Sequence, residues 1–177
     1  MEGTHPIDAE LDIGPVFGEL TPDVREAVLG QLRLADEQLQ ALLGEFGDGW
    51  SSDGLLLETL PSGQASVHGR VARDDDSLAF IAELRPADYF PEVPWRPGDP
   101  PRVMLADAWT VDGLVQVNVR RFLLNKKYWV RETAAEIAER RFEDAVEAAS
   151  TLVATLTALS GLARAREPTV EAWAPAE

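Results

Sequence analysis

Two histidines, a run of three aspartates and one cluster of arginine and lysine are the residues of this sequence whose types and spacing invite chemistry. His5 and His68 are its only imidazoles and lie too far apart in sequence for a metal pair at ligand spacing. His68, between Val67 and Gly69 in an alternating stretch, fits a surface or sheet-edge imidazole better than a general base. Asp74, Asp75 and Asp76 offer oxygens to a hard cation, but a tight turn of adjacent carboxylates has no second set of oxygens at calcium-loop spacing. The chain has no cysteine, which removes disulfides, thiolate metal sites and thiol nucleophiles together. It also lacks a glycine-rich phosphate loop, a G-x-S-x-G elbow and a Ser/His/Asp order. The expectation is a protein without catalytic residues, metal or cofactor, and not an enzyme.

The remaining chemistry is recognition. The stretch RRFLLNKKYWVRE, Arg120 to Glu132, holds five of the sixteen basic residues and both lysines, interleaved with Phe122, Tyr128 and Trp129. Arginine and aromatic residues are the types enriched at interface hot spots. Arg120, Arg121, Lys126, Lys127, Tyr128 and Trp129 are therefore the candidate partner-binding residues. The rival reading is a solvated hairpin whose bases pair with Glu132, Glu136 and Glu139, each exposed pair contributing ~0–1 kcal/mol.

That cluster stands out because the chain is acidic, with a formal charge of -15. Residues 1–60 carry thirteen acids against two bases, and residues 120–177 carry nine against nine. Affinity for phosphate backbones and anionic lipid comes largely from lysine and arginine, so neither nucleic acid nor membrane is an expected partner. Another protein is. With 45% hydrophobic and 27% charged residues in 177, the composition is that of one globular domain. The N-terminal residues show neither a basic stretch nor an apolar run of leader type, and the absence of cysteine suits a reducing cytoplasm. Arginine used far more than lysine, with abundant alanine, resembles the usage of GC-rich bacterial genomes.

The elements that must position the cluster follow from periodicity. Residues 1–20 show none and are expected as a flexible N-terminal arm, loose or lying on the body. Thr21 as N-cap, Pro22 at the first helical position, apolar residues from Val24 to Phe46 at steps of three and four, and Gly47 as terminator predict a helix over 22–46. LLLETL, ASVHGRVAR and LAFIAELR read as three strands separated by turn residues. RPADYFPEVPWRPGDPP holds six of the twelve prolines and must be an irregular crossing. RVMLADAWT and GLVQVNVRRF, flanking VDG, read as a second hairpin, with a turn at Asn125-Lys126 after it. Thr133 and Glu136 stand at capping-box spacing, and Ala138, Phe142, Ala145, Ala149, Leu152, Leu156, Leu159 and Ala163 predict one long helix ending before Pro168.

The expected fold class is α+β: an N-terminal helix, a four- to five-stranded antiparallel meander, and a long C-terminal helix packed on the sheet. Residues 21–167 form the domain and 168–177 a tail. The alanine seam of the last helix serves either packing on the sheet or a homodimer through that helix.

This order, with LAFIAELRPADYFPEVPW and the later DGLVQV, resembles the ubiquitin-conjugating-enzyme-like superfamily, including RWD domains and inactive conjugating variants. Over roughly residues 22–150, Asp88, Tyr89, Phe90, Pro91 and Pro94 stand where that superfamily turns after its third strand. Pro100-Pro101-Arg102-Val103 stands where a diproline often leads on. Gln116 falls near the place of the reactive cysteine and cannot form a thioester. The resemblance implies a non-catalytic protein-binding domain. Two other uses fit the composition: an acidic chaperone or immunity protein masking a basic effector, and an apolar-ligand protein with Trp95, Trp109 and Trp129 lining a pocket.

Overall fold

Thr21 and Gly47 set the limits of the first long helix. The Thr21 hydroxyl accepts from the Val24 amide at 3.4 Å, and Gly47 closes the helix at φ 79° with its N–H donating to the Leu43 carbonyl. The computed structural model describes residues 3–87, 94–101, 107–124 and 126–170. The elements are β1 (Gly3–Pro6), α1 (Gly14–Phe17), α2 (Pro22–Phe46), β2 (Trp50–Ser51), β3 (Leu55–Thr59), β4 (Ala65–Arg73), β5 (Leu78–Pro86), β6 (Trp109–Leu123), β7 (Lys126–Phe142) and α3 (Ala145–Arg166). A 3-10 turn, Glu167–Thr169, follows α3.

The fold is α+β. Seven antiparallel strands form one sheet in the order β1-β3-β4-β5-β6-β7, with β2 pairing β4 beside this path. Val67 and Val71 of β4, Phe80, Ala82 and Leu84 of β5, and Val111 and Val115 of β6 point into the core. These positions alternate because successive side chains of a strand face opposite ways. Leu32, Ala35 and Leu39 of α2 and Leu152, Leu156 and Leu159 of α3 meet them at zero exposure. By length and composition α3 is apolar enough to cross a membrane. Here it is the central core helix, with Ala148, Ala149 and Ala163 buried as well. The alanine seam is thus occupied by the chain's own packing.

Two glycines let the helices approach the sheet. A Cβ on Gly69 would stand 2.5 Å from Leu39 Cδ1, and one on Gly113 would stand 2.5 Å from Leu159 Cδ1. Gly113 therefore does not mark a turn. The strand expected to end at VDG runs straight through it, from Trp109 to Leu123, and the hairpin partner of β6 is β7. Residues 102–106 of RVMLADAWT, and 88–93 of the proline crossing, lie outside the described residues.

The largest departure is at the other end of that hairpin. Residues 126–142 form a strand, so Thr133 and Glu136 cap no helix and Ala138 and Phe142 belong to β7. Helical spacing was present in the sequence, but pairing along the whole length of β6 outweighs propensity. The true start of α3 is Asp144, whose carboxylate accepts from the Glu147 amide at 2.8 Å. Residues 3–20, expected as an arm loose or lying on the body, lie on the body. Gly3–Pro6 pairs with β3, and Ile13, Val16 and Phe17 are buried in the core. The Val16 carbonyl accepts from Trp109 Nε1 at 2.9 Å. The signal was Ile13, Val16 and Phe17 at helical spacing in a segment too short for periodicity to register. Of the tail, residues 168–170 continue from α3, and 171–177 lie outside the described residues.

Candidate functional site

The β6–β7 hairpin outgrows the sheet that supports it. β5 begins at Leu78, which pairs with Val117, so β6 beyond that point has no β5 partner. Residues 118–123 and 126–131 pair only with each other, in unbroken register from Asn118↔Arg131 to Leu123↔Lys126. Six residues at about 3.3 Å each make an arm of about 20 Å. At its tip Leu124 is 89% exposed and left-handed at φ 50°. Such a backbone is required in tight hairpins but is unusual for leucine. Of the turn expected at Asn125-Lys126, Lys126 begins β7 and Asn125 lies outside the described residues.

The aspartate run clamps the base of this arm. Asn118 donates its amide N–H to the Ser77 carbonyl at 3.0 Å and its side chain to the Asp76 carbonyl at 2.6 Å. The Asp76 carboxylate accepts from both Arg70 and Arg131, and Asp76 itself is left-handed at φ 56°. Asp75 Oδ1 accepts from the Ser77 amide and hydroxyl at 3.0 and 2.6 Å. The Asp76 carboxylate thus ties β4 to β7, and that of Asp75 holds the turn before β5. Among the described residues no group of carboxylates and histidines is arranged to hold a metal.

All six candidate residues lie on the arm. Alternation places Arg121 and Tyr128 on one face and Arg120 and Trp129 on the other. The Arg120 guanidinium stacks 5.0 Å from the centre of the Trp129 ring. Arg121 Nε donates to Glu132 Oε1 at 2.9 Å. Lys126, Lys127 and Tyr128 are exposed. The local-pairing reading therefore accounts for Arg121 through Glu132, while Glu139, another of the three expected acids, turns elsewhere. With Glu83 and Asp112 it surrounds Arg85, whose Nη2 lies 2.7 Å from both Asp112 Oδ2 and Glu139 Oε2. Burial pulls the Arg85 guanidinium down, but the Asp112 hydrogen bond and the charges of Asp112, Glu83 and Glu139 outweigh it and raise its pKa.

Sequence spacing did not single out Arg131 or Leu124 and offered Asp76 only as a cation ligand, although all three shape the arm. The Asp76–Arg131 ion pair spans 55 residues, and no local pattern announces it. A cleft of about 520 Å³ lies between the base of the arm and the end of α3, with Val117, Val119, Trp129 and Ala134 beneath and Arg166 and Val170 at its rim.

The other candidates fall apart in space. Trp109 is 5% exposed in the core, while Trp129 lies opposite Arg120, eleven residues along β6, roughly 35 Å of strand away. These tryptophans line no common pocket. His68 Nδ1 lies 3.8 Å from Glu58 Oε2, beyond hydrogen-bond reach. Gln116 sits within β6 opposite Thr133, its side-chain oxygen buried without a partner. Asp88 to Pro91 and Arg102-Val103, which carry much of the conjugating-enzyme resemblance, lie outside the described residues. Comparison with protein-family models, with curated proteins and with solved structures finds no match.

Proposed function

We propose that this chain is a non-catalytic protein-interaction module that engages another protein through the β6–β7 arm. The observation that carries this reading is the arm itself: a basic, aromatic ribbon extending past β5, with Leu124 at its tip and Lys126, Lys127 and Tyr128 exposed on an acidic protein. An isolated two-stranded hairpin is only marginally stable in water. Its exposed apolar tip and charges gain most when a partner covers them. The reading needs no thiol and does not depend on the conjugating-enzyme resemblance.

Capture of partners from a native lysate by the wild-type chain and by Lys126→Glu/Lys127→Glu tests it. Loss of a partner by a variant of unchanged melting temperature supports the arm, and equal capture by both removes it.

The masking of a basic effector is a second reading, favoured by a different surface. Asp8, Glu10, Asp12, Asp23, Glu26 and Glu37 are all exposed on the N-terminal third. A cationic partner bound there would be retained by the double lysine variant and released by raised salt.

A further inference from the structure

We propose that residues 171–177 fold back into the cleft at the base of the arm, seating Trp173 on Val117, Val119 and Ala134. The contact is separate from whatever the arm binds at its tip. At about 520 Å³ the cleft falls within the size range of ligand pockets, about 300–1,000 Å³. Val117 and Val119 continue the face of β6 that carries buried Val111 and Val115, but they are themselves only half-buried. Ala134 stands beside them at a bulge, because Gln116 pairs with Thr133 and Val115 with Ala135. The Ala134 carbonyl accepts from Arg166 Nη2 at 2.9 Å, which fixes the end of α3 as one wall of the cleft. The floor is therefore apolar surface that an occupant removes from water.

The chain itself supplies the occupant. After α3 the 3-10 turn ends at Val170, which is extended at φ -88° and ψ 118° and donates its N–H to the Glu167 carbonyl at 3.4 Å. Val170 lines the cleft and packs against the core, so the chain passes into residues 171–177 from within the cleft. Those residues lie outside the described ones and read EAWAPAE. Trp173 is their only large side chain. Three extended residues reach about 10 Å, which keeps it close to the floor. An indole placed there buries about 150–250 Å². Charge agrees with this occupant. The segment has two glutamates and no base, while Arg120 and Arg166 line the cleft and Glu132, the one acid among its described lining residues, is engaged by Arg121. A foreign apolar ligand has to compete with a segment tethered at an effective concentration on the order of millimolar. So placed, residues 171–177 strap the base of the arm to the end of α3.

Nuclear Overhauser contacts in the full wild-type chain test the strap. The Trp173 indole, identified by loss of its signals in Trp173→Ala, should show contacts to the methyl groups of Val117, Val119 and Ala134. Amide order parameters over the segment should be near those of rigid backbone, about 0.85, and should fall below about 0.6 in Val119→Asp, which puts a charge on the floor. Should Val119→Asp lose its fold, Trp173→Ala, which alters no described residue, should give the same fall. Wild-type order parameters below about 0.6, or no contacts from Trp173 to these methyl groups, overturn the proposal. So does a co-purified small molecule that makes those contacts instead. Contacts found only between labelled and unlabelled chains in a mixed sample also overturn it and assign the cleft to the segment of a second copy. Capture by the Lys126→Glu/Lys127→Glu variant reads the tip alone, so either result stands without the other.

Discussion

β6 and β7 each pass through two environments, and the contrast between them separates what makes the fold from what the fold presents. At the root β6 has β5 on one side and β7 on the other, with α3 packed against one face. Val111 and Val115 are almost wholly buried there, and Gly113 makes room for Leu159. Past Val117 the same two strands have no strand partner but each other, held at the base by the Asn118 and Arg131 bonds to Asp76 and Ser77, and their residues turn to Arg120, Arg121, Lys126, Lys127 and Tyr128. Composition therefore changes where support ends. The root is stabilised by burial, and the arm contributes little to stability but places side chains where another molecule can reach them.

The strongest way to break this contrast is to cut a core side chain. Leu156 of α3 is completely buried in the main cluster. Leu156→Ala should cost about 2–5 kcal/mol in denaturant unfolding. Tyr128→Ala on the arm should change stability by about 0.5 kcal/mol or less. Comparable losses would mean that the arm is part of the cooperative core.

Gly113 sharpens the distinction within one strand. An added Cβ would meet Leu159 Cδ1 at 2.5 Å, the Ile81 carbonyl oxygen at 3.0 Å and Thr155 Cγ2 at 3.1 Å. One of these neighbours is backbone and cannot move aside cheaply. Gly113→Ala should destabilise by about 1–3 kcal/mol, as overpacking does. A near-neutral result in thermal and denaturant melts would show that α3 sits farther from β6 than these distances state.

These two residues also show what was legible in the sequence. Leu156 belonged to a spacing that predicted a buried helix face, and the first helix, β4 and β5 lie where turn residues and periodicity put them, because their determinants are local. Gly113 was read as a turn because its cause is the approach of α3, forty-six residues away. β7 was read as helix for the same reason: AAEIAER favours a helix by itself, and only β6 makes it a strand. The candidate site was visible as a cluster of bases and aromatics. Its projection was not, since the length of β5 relative to β6 decides it.

The boundary between β7 and α3 offers a smaller test. Asp144 supplies the helix cap through the Glu147 amide, while Thr133 lies in mid-strand. Asp144→Ala should cost about 1 kcal/mol. Thr133→Ala, at an exposed position, should cost about 0.5 kcal/mol or less. The reverse order in matched chemical melts would restore the helix start that the sequence pattern favours.

The smallest effect on stability is expected where the effect on binding should be greatest. Lys126 and Lys127 are both exposed at the start of β7, on the loop side of every pairing that β5 makes. Replacing both by glutamate removes no buried contact, and the change in unfolding free energy should stay within about 0.5 kcal/mol. The same change reverses the charge at the tip of the arm, where any acidic partner strand must be complementary, so association should weaken mainly through faster dissociation. Measuring unfolding and binding on one preparation makes the comparison direct. A variant that loses stability as well as binding would place the tip within the folded core, and one that keeps both would leave the lysines as solvated surface.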